Sequence, residues 1–217
     1  MNRSLLVFFC ALLAGAPLLP ADEVALMTVR FGKQKERQRV ALEFYEGDAP
    51  AHVRNFKELA RDKFYDDLAF HRAFPNLLVQ TGDPLSEKKD RSRVGTTGPG
   101  YTIPAEIRRK HTRGAVAAAR LPDKINPSRV SNGSQFYICL APMPNLNGQY
   151  TVFGQVIYGM EVLQSISTRP VDSNDYPVER IIIESLRIIP REELPPPPAK
   201  APATEPGKSR RWWQIFG

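Results

Sequence analysis

Two periodicities divide the chain. Runs in which apolar and polar positions alternate mark short strands at residues 24–30, 40–45, 70–74, 77–81, 114–119, 134–140 and 151–157, and a β-branched run over 178–189 adds a last one. A 3.6-residue pattern appears at Val53, Phe56, Leu59 and Ala60, with Pro50 in the first turn and Asp48 as the expected cap. Residues 160–166 predict a second, shorter helix. Between these elements lie two polar loops. Residues 83–100 carry a charge run at 87–93 and read as a solvated excursion; residues 121–133 are rich in turn formers. Many short strands with two helices predict a mainly antiparallel β domain, either barrel or sandwich.

At 217 residues the chain holds one domain with a full core plus appendages. Residues 1–21 read as an export signal: Arg3 gives a positive start, 5–13 an apolar run, and Ala14-Gly15-Ala16 a cleavage pattern, with the cut after Ala16 or Ala21. The run is short for a membrane span and Pro17 interrupts it, so an uncleaved anchor is the weaker alternative. The expected product is exported, to the periplasm, the cell envelope or the medium. Cys10 falls in the signal, leaving Cys139 as the mature chain's only thiol, without an internal disulfide. His52, His71 and His111 are scattered, and Gly95, Gly98 and Gly100 follow no phosphate-loop pattern, so neither a metal nor a cofactor is expected.

The net charge of +7 is dispersed and not interleaved with aromatics. That suits a solvated surface and no nucleic-acid partner. Residues 22–191 then form the folded domain, and 192–217 a proline-rich, disordered tail in polyproline conformation. The tail ends in Arg210-Arg211-Trp212-Trp213-Gln214-Ile215-Phe216, which suits a membrane interface or a docking peptide as well as no partner at all.

The chemistry gathers in residues 70–83. Period two sets Arg72 opposite His71, and places Leu78 and Gln80 on one face of the following strand. An arginine in an apolar strand needs a partner or must reach water at an edge. Phe70-His71-Arg72, Pro75 and Gln80-Thr81-Gly82-Asp83 resemble the signature strand pair of the cyclophilin-type peptidyl-prolyl cis-trans isomerases. Residues 114–120, Gly133-Ser134-Gln135-Phe136-Tyr137-Ile138 and 146–154 are similar to that family's next three active-site segments, in order, and the similarity runs from about Val24 to Ile189.

The resemblance implies a closed eight-stranded antiparallel barrel capped by two helices, and a monomer acting on proline-containing polypeptides. It implies that Arg72 is the catalytic donor and Gln80 the residue that orients it. It assigns substrate contacts to Leu77, Leu78, Ala119, Arg120, Gln135, Tyr137, Leu146 and Tyr150. The family's usual pocket phenylalanine and methionine stand here as Leu77 and Leu78, Tyr150 replaces a common histidine, and Asn145 takes the place of a tryptophan that serves the inhibitor cyclosporin. The altered pocket keeps open a rival: a non-catalytic proline-peptide binding module tethered by the tail.

Overall fold

The computed structural model describes residues 22–88 and 90–196; the expected signal over 1–21 and the tail end, Arg210 and Phe216 included, lie outside the described residues. Eight strands, β1 (Glu23–Phe31), β2 (Gln38–Phe44), β3 (Arg72–Phe74), β4 (Leu78–Thr81), β5 (Ala115–Ala118), β6 (Phe136–Cys139), β7 (Val152–Tyr158) and β8 (Ile181–Pro190), form one sheet in the order β3-β4-β6-β5-β7-β2-β1-β8. Every ladder is antiparallel. The sheet curls on itself, but its closure is looser than the expected closed barrel. Strands β3 and β8 share no ladder. The seam is held by the run before β3, where Phe70 N–H donates to Ile181 O at 3.0 Å and Ile183 N–H to Leu68 O at 2.8 Å. A chain that turns into a three-residue strand has too few residues left to pair along both edges.

Alternation decides which side of the sheet does what. In β6, Phe136 and Ile138 point into the barrel and pack with Met27, Leu42, Val79, Ile181 and Leu186. Tyr137 and Cys139, one step out of phase, point outward and pack with Ala115, Ala117 and Val152. The interior is filled by its own side chains. The outer face of β4-β6-β5, with Val152 at the start of β7, carries the second apolar cluster.

Helices α1 (Pro50–Arg61) and α2 (Met160–Ser167) cover the two openings. The stripe of α1 drives Phe56 among four rings, Phe44, Tyr65, Phe136 and Phe153, at centroid separations of 5.0–5.7 Å. Asp48 does not cap this helix. Ala49 is its N-cap, and the Asp48 carboxylate pairs instead with Arg109. Glu106, 54 positions further along than His52, serves from outside: its two oxygens accept the N–H groups of Ala51 and His52, each at 3.1 Å. A carboxylate at a helix N-terminus meets unsatisfied donors and the positive end of the dipole, whichever part of the chain supplies it. Helix α2 starts from Gly159 at φ 84°, where a Cβ would lie 2.2 Å from Arg39 O, so only glycine fits.

Candidate active site

One row of residues runs straight across the outer face. Arg72 stands opposite Gln80, Gln80 opposite Tyr137, and Tyr137 opposite Ala117. Directly paired residues of antiparallel strands share a face, so three short ladders place a guanidinium, an amide, a phenol ring and a methyl side by side. Arg72 lies on the edge strand and is exposed, while its neighbour His71 on the other face is buried. The guanidinium lies 5.0 Å from the centroid of the Phe74 ring, and no carboxylate of the described residues pairs with it. It reaches water at an edge, as the plainer reading of residues 70–74 expects, and it does so over a hollow.

The amides behind it are oriented by a buried carboxylate. Asp83, fully buried, accepts from the N–H of Leu85 (2.8 Å), Gly95 (2.8 Å) and Thr97 (3.0 Å), from the Thr97 hydroxyl (2.6 Å) and from Gln135 Nε2 (3.1 Å). Gln135 Nε2 also donates to Thr97 O at 2.7 Å. Carboxylate and carbonyl oxygens only accept, so Gln135 must turn its NH2 toward them and its oxygen toward Gln80. Gln80 Nε2 donates to that oxygen at 2.9 Å. The carbonyl oxygen of Gln80 is thereby left as an acceptor for a donor on the groove side, where Arg72 is its ladder partner. The expected solvated excursion over residues 83–100 is corrected at its two ends, because Asp83 is buried and holds Gly95 and Thr97 against the barrel.

The hollow has a volume of about 840 Å³ and is lined by Arg72, Gln80, Leu78, Ala119, Arg120, Gln135, Tyr137, Leu146 and Tyr150, all expected from sequence. Leu77 is not brought there. It occupies the turn between β3 and β4 and is 40% exposed. Phe74, two residues beyond Arg72, lines the hollow instead, and alternation along the strand could have found it. Met143, Asn132 and Tyr101 also line it, from loops that no periodicity reaches.

The main chain of Ala119 is used internally, its N–H on Gln135 O and its carbonyl on Asn132 N–H, each at 2.9 Å. The Arg120 side chain braces the wall: Nε donates to Gln149 O at 2.9 Å, and its guanidinium lies 4.4 Å over the Tyr150 ring and pairs with Asp123. A second cavity, of about 20 Å³ and lined by His52, Tyr65, Ser131 and Gln135 among others, is the size of one water.

Burial behind the row has a consequence for stability. Desolvation pushes His71 down to about 4 from the ordinary 6.5, against the pull of the nearby Asp83 carboxylate. The folded state thus prefers the neutral ring more than the unfolded chain does. That contribution is complete above about pH 6.5 and is lost as the pH falls toward 4, roughly 2 kcal/mol of it by pH 5. Burial also lowers His52 and His111, which adds in the same direction. Urea midpoints are expected to fall between pH 7 and 5, with His71→Phe flattening the slope; an unchanged slope in that variant would remove His71 from the account.

An arginine with no ion pair among the described residues faces a partly apolar hollow on the outside of an eight-stranded half-barrel. Residues 27–188 match the family model described as cyclophilin type peptidyl-prolyl cis-trans isomerase/CLD, and the chain belongs to that family. It is 37% identical over 150 residues to the peptidyl-prolyl cis-trans isomerase-like 1 of Aspergillus oryzae, covering 68% of this chain and 88% of the relative. A crystal structure of a Cryptosporidium parvum cyclophilin-type isomerase superposes with a TM-score of 0.65 at 27% identity, over 77% of this chain and 97% of the other. The structure of that isomerase in the presence of the dipeptide Ala-Pro gives 0.63 at 26% identity, over 76% and 98%.

Proposed function

We propose that this isomerase works outside the cytoplasm, accelerating X–Pro rotation in exported polypeptides, with Arg72 as the donor and the Leu78-Tyr137-Leu146-Tyr150 hollow as the seat of the proline ring. Rotation of an X–Pro bond takes tens to hundreds of seconds because twisting breaks the conjugation between nitrogen and carbonyl. In the twisted state the nitrogen regains a lone pair absent from both planar states. A donor aimed at that nitrogen binds the transition state more tightly than either ground state, which is the condition for catalysis. No bond is made or broken, so the reaction asks for a donor and a dry seat, not for acid, base or nucleophile. The observation that carries the reading is the single row Arg72-Gln80-Tyr137, which sets both beside each other. The Ala-Pro dipeptide of the Cryptosporidium crystal supports the choice of ligand and of probe.

Export rests on Arg3, the apolar run 5–13 and the small residues that end it. The test has two parts. N-terminal sequencing of the protein from the envelope fraction is expected to begin after Ala16 or Ala21, and a chain retaining Met1 in the cytoplasm would reject export. The mature protein should also shorten the slow refolding phase of a client limited by proline isomerisation. Affinity for the peptide without faster exchange would mean a binding module instead.

Cyclosporin is expected to inhibit weakly. Asn145, at the place of the family tryptophan, is exposed and outside the residues lining the hollow. Inhibition of isomerisation at nanomolar drug would contradict this.

A further inference from the structure

The chain carries X–Pro bonds of its own within reach of the hollow. Beyond the described residues it continues Pro197-Pro198-Ala199-Lys200-Ala201-Pro202-Ala203-Thr204-Glu205-Pro206. Ala201-Pro202 is the same pair that the proposed function takes as its ligand. The root of this tail is fixed on the domain. Arg191 N–H donates to Asp22 O at 2.8 Å, and the Arg191 guanidinium reaches the Glu43 carboxylate at 3.1 Å. Leu42 and Phe44 belong to the core, so Glu43 between them stands on the outer surface of the sheet, the surface that also carries Ala117 and Tyr137. Leu194 and Pro195, the first residues after that anchor, are half-buried.

The distance to the hollow can be counted in strands. Pro190 lies opposite Glu23, which is two positions before the Ala25–Leu42 pair and so level with Phe44. Phe44 lies opposite Gly154, Gly154 opposite Val116, and Val116 opposite Ile138, the chain neighbour of Tyr137. Five strand spacings of about 4.8 Å separate Pro190 from the hollow, about 24 Å along the sheet. At the polyproline rise of about 3.1 Å per residue, the eleven residues from Pro190 to Ala201 can span about 34 Å. Pro198, eight residues out, can span only about 25 Å at that rise, with nothing to spare for the height of the outer side chains. Ala201-Pro202 is the first X–Pro bond of the tail with slack. A segment tethered this closely is present at an effective concentration on the order of 1 mM, whatever the protein concentration.

We propose that the hollow's resident ligand is the chain's own tail: Ala201-Pro202 occupies the proline seat until a client displaces it. The Pro202 ring takes the place beside Leu78, Tyr137, Leu146 and Tyr150, with Arg72 at its nitrogen. Two consequences follow from the tether. An added peptide competes with the tail, so its apparent Kd and KM rise together by the ratio of effective concentration to the tail's own Kd, plus one, while kcat stays the same. The tail bond is also turned over. A bond of this kind outside a folded context populates cis at roughly 10–30%, so both isomers give separate signals while exchange is slow.

The proposal rests on the isomerase reading of the hollow, so the experiment reads the tail and an added Ala-Pro peptide separately. NMR on the mature protein with its tail follows cis–trans exchange at Ala203, beside the Kd, KM and kcat of the peptide. Exchange at Ala203 is expected to be about a hundredfold faster than in a free peptide of residues 198–206, whose bond rotates in tens to hundreds of seconds. Pro202→Ala keeps the length of the tail and removes the bond. It should lower the Kd and KM of added peptide about threefold, the result of an effective concentration twice the tail's Kd, and Pro206→Ala should lower neither. Unchanged Kd and KM in Pro202→Ala, or the same drop in Pro206→Ala, would overturn the proposal. So would slow exchange at Ala203 in a protein that accelerates the added peptide. An effect that vanishes on tenfold dilution would give the seat to the tail of a second copy, and overturns the tethered occupant too. Added peptide that binds without faster exchange would reject the isomerase reading, with the Kd shift in Pro202→Ala still deciding whether the tail fills the hollow.

Discussion

Arg72→Ala is expected to lower the acceleration of Ala-Pro exchange by one to two decades while leaving the fold unchanged. A charge-assisted hydrogen bond contributes about 1.5–3 kcal/mol net, and each tenfold in rate takes about 1.4 kcal/mol. Arg72 is exposed, on an edge strand, and without an ion pair among the described residues, so its removal leaves no orphaned partner. Stability should therefore change by no more than about 0.5 kcal/mol. Arg72→Lys should recover little, because an ammonium is a point charge without the planar fork that Gln80 can hold from one side. NMR exchange spectroscopy on the peptide with each variant, beside circular dichroism, decides it. Full acceleration in Arg72→Ala would move the donor elsewhere.

The residual acceleration in that variant is informative in itself. It measures what the seat supplies by holding the proline ring while the carbonyl side turns. Tyr137 and Tyr150 cross at 86° with centroids 5.8 Å apart, and Leu78 and Leu146 pack against the same cluster. The hollow proposed as the seat is lined by the Tyr137 and Tyr150 rings and by Leu78 and Leu146, and Leu77 is not among its lining residues.

Alternation in residues 70–83 and 134–140 was enough to place Arg72, Gln80 and Tyr137 on strands, and the family resemblance supplied their roles. Three features were illegible for reasons of range. The seam of the half-barrel depends on residues 67–70 meeting β8, more than a hundred positions away. The cap of α1 comes from Glu106, which a local rule cannot name while Asp48 stands in the expected place. Leu77 falls in the turn that follows Phe74, so the residue in the family frame is exposed while Phe74 lines the hollow. The buried Asp83 was legible as a residue and not as a hub, because its partners at 95, 97 and 135 converge only in three dimensions.

That hub carries the second large effect. Asp83→Ala removes the acceptor of five donors at once, and an uncompensated buried polar group costs about 1–3 kcal/mol. Loop relaxation will re-hydrate some of them, so a loss of roughly 3–5 kcal/mol is expected, and a fall in Tm of about 10 °C for a domain of this size. Activity should fall as well, measured at a temperature where the variant stays folded. Without the carboxylate, the Gln135 NH2 keeps only Thr97 O as acceptor, and the orientation of Gln80, which donates to the Gln135 oxygen, relaxes with it. Asp83→Asn separates the two effects. Its oxygen can take the place that serves the Gly95 and Thr97 N–H groups and Gln135, and its NH2 can donate to the Thr97 hydroxyl oxygen, leaving the Leu85 N–H and the Thr97 hydroxyl hydrogen without this acceptor. That variant should lose about 1–3 kcal/mol and keep most of its turnover. A folded Asp83→Ala with undiminished exchange would show that the amides need no carboxylate to face the arginine, and that Asp83 serves the loop alone.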